Sequence, residues 1–137
     1  MIYLDTSAFV ALFVADPHTP AVRAAIAGGD SLAVSDVTVA EFAAVAAAMR
    51  RNRTLDAATW QAIVAVAEDW VTTSTVLVPL APGDMASCTR LLNGAEIPLR
   101  MPDALHIVIC RRLGATLLSF DVRQTAAAAA IGLAVAA

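Results

Sequence analysis

Five short, almost wholly apolar runs alternate with segments of helical composition along this chain of 137 residues. The runs occupy residues 2–4, 32–34, 75–78, 115–120 and 133–135. Strands that are apolar at consecutive positions are typical of a parallel sheet covered on both faces, because neither face is left to water. The alternation therefore predicts an α/β fold, a three-layer α/β/α sandwich around a mostly parallel sheet of about five strands.

The length and the hydropathy fit one domain. With 137 residues, 59% hydrophobic and 15% charged, the chain is near the commonest domain size and too apolar for intrinsic disorder. Residues 1–137 are therefore expected to form a single domain. No charge-free stretch exceeds 14 residues, the length of segment 124–137, whereas a membrane-spanning helix needs about 20. Residues 1–5 also lack the positive charge of a secretory signal, so we expect a cytoplasmic protein that does not enter a membrane.

All nine basic residues are arginine, and the chain contains no lysine. This excludes a P-loop nucleotide site and Schiff-base chemistry, because both require the lysine amine. The histidines are His18 and His106, which argues against a metal-free ribonuclease built on paired histidines and a lysine. Cys88 and Cys110 are too few and too isolated for a disulfide framework or a zinc site, and we expect small buried hydrophobes. Chemistry carried out by carboxylates remains.

Four acids fall where an α/β sheet places its ligands. Asp5 directly follows the first apolar run and Asp121 follows the fourth. Glu41 lies about a turn into the third predicted helix, which Ser35 or Asp36 caps, and Asp103 follows the proline that begins another helix. Ligands bind at the carboxyl ends of parallel strands, so these acids are expected to converge. Taken singly, an Asp at such a position is most often a turn or capping residue.

Glu41 is the acid least expected on a solvated face. Residues 39–45 are apolar around it, and no basic residue lies within two helical turns. A buried carboxylate is costly unless it is paired or binds a metal. Four carboxylates in one crevice also need a counter-charge, which Mg²⁺ or Mn²⁺ supplies while activating water for phosphodiester hydrolysis. Two bound divalent cations would change the net charge of −3 to +1, so the acidic composition allows a nucleic-acid substrate.

Four segments together resemble the acidic motifs of the PIN-domain ribonucleases. They are IYLDTSA at residues 2–8, SDVTVAE at 35–41, PDALH at 102–106 and LLSFD at 117–121. The resemblance is closest to the VapC-type toxins of bacterial toxin–antitoxin pairs, and it extends over essentially the whole chain. It implies a Rossmann-like fold and endonucleolytic cleavage of RNA that depends on Mg²⁺ or Mn²⁺. It also implies inhibition by a small cognate antitoxin of the VapB type and, commonly, a homodimer.

The resemblance also assigns roles to individual positions. Asp5, Glu41, Asp103 and Asp121 would bind the metal and orient the attacking water. Thr6 or Ser7, together with Ser119, would hold the carboxylates or the water by hydrogen bonds. The absence of lysine is a departure, because RNA must then be held by arginine alone.

Arginine positions indicate candidate phosphate contacts. Arg100 and Arg123 lie close in sequence to Asp103 and Asp121 and are candidates for reaching a phosphate at the crevice, the alternative being ordinary surface charges. The arginines at 50, 51 and 53 follow Glu41 by nine or more residues, about 13 Å or more along a helix. They are either a distal RNA-binding rim or charges that stabilise a helix C-terminus.

Packing roles explain most of the aromatic and histidine side chains. Trp60 and Trp70 fall in a predicted apolar helix, where core or interface packing is expected rather than base stacking. His106 lies one helical turn after Asp103, where it either supports the site or packs in the core with its own hydrogen bonds. With 5% aromatic residues, recognition is expected to depend on backbone charge and substrate shape.

The sequence leaves two other kinds of function open. A catalytically silent PIN-like module would act by binding a partner through its apolar surface. A metal-dependent DNA nuclease or phosphatase would use the same carboxylate cluster, because the cluster serves any phosphodiester or monoester.

Overall fold

Seven helices and five strands lie along residues 1–136, which are the residues that the computed structural model describes. In chain order they are β1 (Ile2–Leu4), α1 (Thr6–Phe13), α2 (Thr19–Ile26), β2 (Leu32–Ser35), α3 (Asp36–Arg51), α4 (Ala57–Ser74), β3 (Val76–Val78), α5 (Pro82–Gly94), α6 (Met101–Leu113), β4 (Thr116–Leu118), α7 (Val122–Ala130) and β5 (Val135–Ala136). Ala137, the last residue of the predicted single domain, lies outside the described residues.

The five strands form one sheet in the order β3-β2-β1-β4-β5, and every pairing between neighbours is parallel. The predicted α/β fold is therefore confirmed. β1 lies at the centre, where Tyr3 is in register with Ala33 on one side and with Leu117 on the other. The chain winds outward from β1 in both directions, so the strand order reverses between β1 and β4. A reversal of this kind opens a crevice at the carboxyl ends of the two strands.

Alternate residues of β1 enter opposite layers of the core. Leu4 packs in a cluster with Phe9 of α1 and Phe42 of α3. Tyr3 faces the other way and packs with Ile107 of α6 and other residues on that side of the sheet. Because successive side chains of a strand point to opposite faces, both faces of β1 are buried. Helices therefore cover the sheet on each side, as expected of a three-layer sandwich.

The sequence predicts helix starts capped by Ser35 or Asp36 and by Asp56 or Thr54, and a helix end at Gly114. Ser35 caps α3 by accepting a hydrogen bond from the Thr38 amide at 3.3 Å, and Asp56 caps α4 by accepting one from the Thr59 amide at 2.9 Å. Gly114 ends α6 in the left-handed region at φ 61°, where a residue without a Cβ is favoured. Ser35 thus sets the start of α3, which carries Glu41, and Gly114 sets the end of α6, which carries Asp103.

Several predicted boundaries are wrong by one or two residues. The composition of residues 84–92, followed by Asn93 and Gly94, predicts a helix over that range. The helix instead runs from 82 to 94, because the Asp84 side chain accepts from the Ala81 amide and so caps a helix that begins earlier. Pro102 is the second helical residue, since α6 begins at Met101. The fourth strand covers 116–118 rather than 115–120, and the last covers 135–136 rather than 133–135.

Both cysteines are free and buried, as expected, and burial raises the pKa of the Cys110 thiol to about 12. Within residues 1–136, no helix combines the length and the apolar character needed to cross a membrane.

Candidate active site

A pocket of about 330 Å³ contains all four acids singled out from the sequence. It lies where Asp5 follows β1 and Asp121 follows shortly after β4, at the reversal of strand order. Its walls are formed by Asp5, Thr6, Ser7, Val10, Asp16, His18, Glu41, Val45, Asp103, His106, Phe120, Asp121 and Gln124. We call it the acidic pocket.

Asp5 is buried at the base of the site, with 3% of its surface exposed. One carboxylate oxygen accepts hydrogen bonds from the Ala8 amide at 2.9 Å and from Ser7 Oγ at 2.8 Å. The other accepts from Ser119 Oγ at 2.6 Å. Burial raises the pKa of Asp5, although the bonds from Ala8 and Ser119 act in the opposite direction. A cation beside Asp5 would offset the cost of keeping this buried group ionised.

Glu41 is held by two partners from other helices. Its Oε2 accepts a hydrogen bond from Thr6 Oγ1 at 2.5 Å and one from His106 Nε2 at 2.8 Å. Its side chain is 34% exposed, so the expectation of a buried side chain was wrong: Glu41 is only partly buried. The reason is that Glu41 faces the pocket. Partial burial acts to raise the pKa of Glu41, but the hydrogen bonds from His106 and Thr6 outweigh it and lower the pKa.

His106 is more closely tied to the site than the sequence indicated. It is packed and hydrogen-bonded, as expected, with 2% of its surface exposed. Its Nδ1 lies 2.7 Å from Tyr3 Oη, which lies 2.7 Å from Ser35 Oγ. Nε2 bears the proton that Glu41 accepts, because an ionised carboxylate only accepts. A chain of hydrogen bonds thus runs from β2 through β1 and α6 to Glu41.

Asp103 and Asp121 combine helix capping with a place in the pocket. One oxygen of Asp103 accepts a hydrogen bond from the Arg100 amide at 3.1 Å. One oxygen of Asp121 accepts from the amides of Arg123 and Gln124, both at 2.9 Å. Capping is therefore confirmed for both side chains, and it occupies one oxygen of each. The other oxygen remains available for the predicted role in the pocket.

Gln124 is a member of the site that sequence reasoning missed. It is buried, and its Oε1 lies 2.9 Å from Ser119 Oγ, the hydroxyl that also contacts Asp5. Its Nε2 donates to the backbone carbonyl of Asp103 at 3.4 Å. Gln124 therefore connects two parts of the site. Its position one turn into α7, directly after the Asp121 cap, is the signal that could have identified it.

The donor set suits a hard divalent cation. The second oxygens of Glu41, Asp103 and Asp121 (Oε1, Oδ1 and Oδ2) have no hydrogen-bond partner within residues 1–136. In the same range, no group of three or more acidic, histidine or cysteine side chains is arranged to enclose a metal ion directly. Mg²⁺ keeps several waters and is commonly held by one or two carboxylates. Carboxylates around a pocket of this size fit that mode of binding.

The predicted phosphate-contact arginines lie outside the pocket wall. Arg100 and Arg123 are exposed, and neither lines the acidic pocket, although their backbone amides bond to Asp103 and Asp121. Their contact with RNA remains a prediction.

The arginines at the C-terminal end of α3 and the two tryptophans have largely structural surroundings. The guanidinium of Arg50 lies 5.2 Å from the centre of the Trp60 ring, while the arginines at 51 and 53 are exposed. Trp70 packs against the aromatic rings of Phe9 and Phe13, which confirms its expected place in the core. Whether residues 50–53 contact RNA also remains a prediction.

A larger cavity of about 780 Å³ lies along α5 and α6, away from the predicted acids. Asp84 is its one acidic wall residue among those described, and this carboxylate is already held by Arg112 through two bonds of 2.9 Å. With that acid neutralised, the larger cavity lacks the free carboxylates of the acidic pocket.

Comparisons with known proteins identify a family and a shared fold. A family model for the PIN domain matches residues 2–130. No curated protein matches the sequence. Among solved structures, VapC20 of Mycobacterium tuberculosis, described as a sarcin–ricin loop cleaving toxin, is 19% identical, with a TM-score of 0.72 over 93% of this chain and 95% of that one.

Two further structures are similar over nearly their whole length. FitAcB from Neisseria gonorrhoeae is 18% identical, with a TM-score of 0.71 over 98% of this chain and 96% of that one. VapBC2 from Rickettsia felis, bound to a DNA fragment from its promoter, is 15% identical, with a TM-score of 0.69 over 98% and 97%. At these identities the likeness establishes the fold.

Proposed function

This chain belongs to the PIN domain family, and we propose that it is an endoribonuclease dependent on Mg²⁺ or Mn²⁺ that acts as a VapC-type toxin. The observation that carries the proposal is the acidic pocket at the reversal of strand order. Its four carboxylates are the residues that the PIN motifs assign, and three of them each leave an oxygen without a partner among residues 1–136. The similarity to VapC20, a toxin that cleaves the sarcin–ricin loop, supports RNA as the substrate class.

Asp5, Glu41, Asp103 and Asp121 would hold the metal ion, in part through its bound water molecules. When bound, such an ion polarises a phosphodiester and lowers the pKa of a water molecule. Hydrolysis forms a bond between the water oxygen and phosphorus and breaks the bond from phosphorus to one ribose oxygen, which receives a proton. These carboxylates define where that phosphate lies.

The side chains around the carboxylates keep them in place before substrate arrives. Ser7 and Ser119 donate to Asp5, and Thr6 and His106 donate to Glu41. Carboxylates fixed in this way need little reorganisation during the reaction. The free Oε1 of Glu41 is the acceptor that we propose orients the attacking water.

We further propose that a cognate antitoxin of the VapB type inhibits the protein and that the protein forms a homodimer in the cytoplasm. VapBC2 of Rickettsia felis, and VapBC-1 of Haemophilus influenzae, share the fold. Apolar side chains remain available for partners: Val66 on α4 and, on the edge strand β3, Val76 and Leu77 are exposed. Light scattering of the purified protein tests the dimer, for which it should give twice the mass of 14.2 kDa.

Expression in bacterial cells tests the toxin proposal. The wild-type chain should arrest growth and produce discrete RNA fragments, whereas Asp103→Asn should do neither. Asp69→Asn is the matched control, because Asp69 lies on α4 and outside the acidic pocket. Growth arrest with undiminished RNA cleavage by Asp103→Asn would contradict the proposal. Growth arrest with DNA breaks and intact RNA would favour a DNA nuclease.

A further inference from the structure

A stacked pair of aromatic rings, the exposed His18 and the partly buried Phe120, forms part of the wall of the acidic pocket. His18 and Phe120 stack with ring centres 4.3 Å apart and planes 12° from parallel. Both belong to the pocket that contains the four carboxylates, and the proposed hydrolysis uses neither. We propose that this pair is a stacking platform for one nucleobase of the RNA, next to the phosphate that is cut. The inference rests on the proposed function, since it assigns the base-binding part of the same site.

The imidazole of His18 presents a flat surface that a base can cover. His18 is exposed, and Phe120 lies against one face of its ring, so the exposure belongs to the opposite face and the edges. The turn before α2 is well fixed. Asp16 Oδ1 accepts a hydrogen bond from the His18 amide at 2.8 Å, and Thr19 Oγ1 donates to the carbonyl of Ala11 at 2.7 Å. The His18 ring therefore packs on Phe120 through one face, and the hydrogen bonds of the turn hold its backbone in place.

Phe120 is connected directly to a proposed metal ligand. Its amide donates to Ser7 Oγ at 2.9 Å, and Ser7 Oγ donates to Asp5 Oδ1 at 2.8 Å. The backbone that carries Phe120 is thus two hydrogen bonds from the carboxylate of Asp5. A base stacked on the pair would be held at a fixed place relative to the phosphate bound at the acids.

The size and the chemistry of the pocket suit one nucleotide. Its volume of about 330 Å³ falls within the range of about 300–1,000 Å³ typical of ligand pockets. The carboxylates, through a cation, take the phosphate, and the aromatic wall takes a flat π system. Stacking of this kind tolerates every base, because each base has a π face. The platform therefore supplies binding energy without demanding a particular sequence at that position.

Binding of fluorescent RNA tests the platform. The probes are short oligouridines that each carry a single 2-aminopurine, placed one position further along from one probe to the next. Binding is measured in Ca²⁺, and each probe is checked to be intact. Wild-type protein should quench the 2-aminopurine at one position, where the base stacks. His18→Ala should abolish that quenching and weaken binding about tenfold, as expected for the loss of one base–aromatic stack.

Two further variants separate stacking from other roles of His18. His18→Phe keeps a flat ring and should restore both quenching and affinity, whereas His18→Leu keeps bulk without a π face and should behave as His18→Ala. Met85→Ala, at an exposed apolar residue outside the pocket, is the control. Quenching and affinity in His18→Ala equal to those of wild type would overturn the platform. So would failure of His18→Phe to restore them, which would assign His18 a polar role.

The cleavage and binding measurements distinguish failure of the stacking platform from failure of the proposed nuclease activity. If wild-type protein cleaves RNA and the His18 variants bind and quench normally, the platform fails while the proposed function stands. If the position-specific quenching depends on His18 but no RNA is cut in Mg²⁺ or Mn²⁺, the platform stands and the nuclease fails.

Discussion

His106 Nε2 lies 2.8 Å from Glu41 Oε2, and this contact joins α6 to α3 at the wall of the acidic pocket. The other nitrogen of the same ring contacts Tyr3 Oη at 2.7 Å, at the centre of the sheet. The position of Glu41 therefore depends on the central strand, because a buried histidine with both nitrogens bonded has one orientation available. The structure of the core and the geometry of the site are linked through this residue.

Replacing His106 by alanine should reduce both stability and activity. The change leaves Tyr3 Oη and Glu41 without the imidazole, and an unsatisfied buried polar group costs about 1–3 kcal/mol. Together with the lost packing, we expect the free energy of unfolding to fall by about 3 kcal/mol. Urea denaturation measures this change. Tyr3→Phe is the matched variant: it removes one hydroxyl and should cost about 1 kcal/mol. Equal stability of His106→Ala and wild type would contradict the network.

The ionisation of Glu41 should make stability depend on pH in a defined direction. The pKa of Glu41 is lowered from its ordinary value of 4.5, so the folded state favours the ionised form. Its contribution is fully present above that ordinary value and is lost as pH falls through the lower pKa of the folded state. The stability difference between wild type and Glu41→Gln, measured by urea denaturation in EDTA, should therefore shrink as pH falls from neutral to about pH 3.

The titration of Asp5 does not affect the comparison of wild type with Glu41→Gln. The raised pKa of Asp5 acts with the opposite sign, because protonation of Asp5 is favoured in the folded state. Asp5 is common to both proteins, so its contribution cancels in the difference. A difference that stays constant over the acid range would contradict the role assigned to Glu41.

Metal binding should stabilise wild type but not Asp5→Asn. A ligand that binds the folded state at about 100 times its Kd adds about 2.7 kcal/mol to the free energy of unfolding. We expect Mn²⁺ to raise the melting temperature of wild type and of Asp69→Asn, and to leave that of Asp5→Asn nearly unchanged. Thermal denaturation with and without EDTA measures the shift. The same shift in Asp5→Asn and wild type would show that the cation binds elsewhere.

Arg112 should matter for stability and not for cleavage. It donates two hydrogen bonds of 2.9 Å to the buried carboxylate of Asp84, at the end of α6 opposite Asp103. Arg112→Ala leaves that carboxylate without its counter-charge. Because the Arg112 side chain is 35% exposed, we expect a loss of about 2 kcal/mol, below the range for a fully buried pair.

Arg111→Ala is the control for this change, since the neighbouring arginine is exposed and has no side-chain partner in the described part of the chain. It should change the free energy of unfolding by no more than about 0.5 kcal/mol. Loss of RNA cleavage in folded Arg112→Ala, below its melting temperature, would contradict the separation of the two ends of α6.

Local signals predicted much of this molecule. An acid directly after an apolar run identifies the carboxyl end of a strand, and Asp5 occupies such a place. Ser35 and Asp56 cap helices, as their types and positions predicted. Each of these signals depends on a few neighbouring residues, so each could be interpreted without knowing the rest of the fold.

Contacts between distant elements were not predictable in the same way. Glu41 and His106 are separated by 65 positions, and the rotation that brings them together is set by how α3 and α6 pack on the sheet. The apolar neighbours of Glu41 predicted a buried side chain. They do not reveal that one side of α3 borders a pocket. The side chains of Arg100 and Arg123 lie off the pocket wall for a related reason: closeness in sequence fixes the backbone and not the direction of a long side chain.

The most direct test of the proposed function is cleavage of total cellular RNA by the purified, partner-free protein. The reactions contain Mg²⁺ or Mn²⁺, with EDTA and Asp5→Asn as negative controls and Asp69→Asn as the matched positive control, and the cut ends are mapped. We predict discrete cuts by wild type and Asp69→Asn that disappear in both negative controls. Undiminished cutting by Asp5→Asn, or no cutting of any RNA by folded wild-type protein that binds Mn²⁺, would contradict the assignment of the acidic pocket as a ribonuclease site.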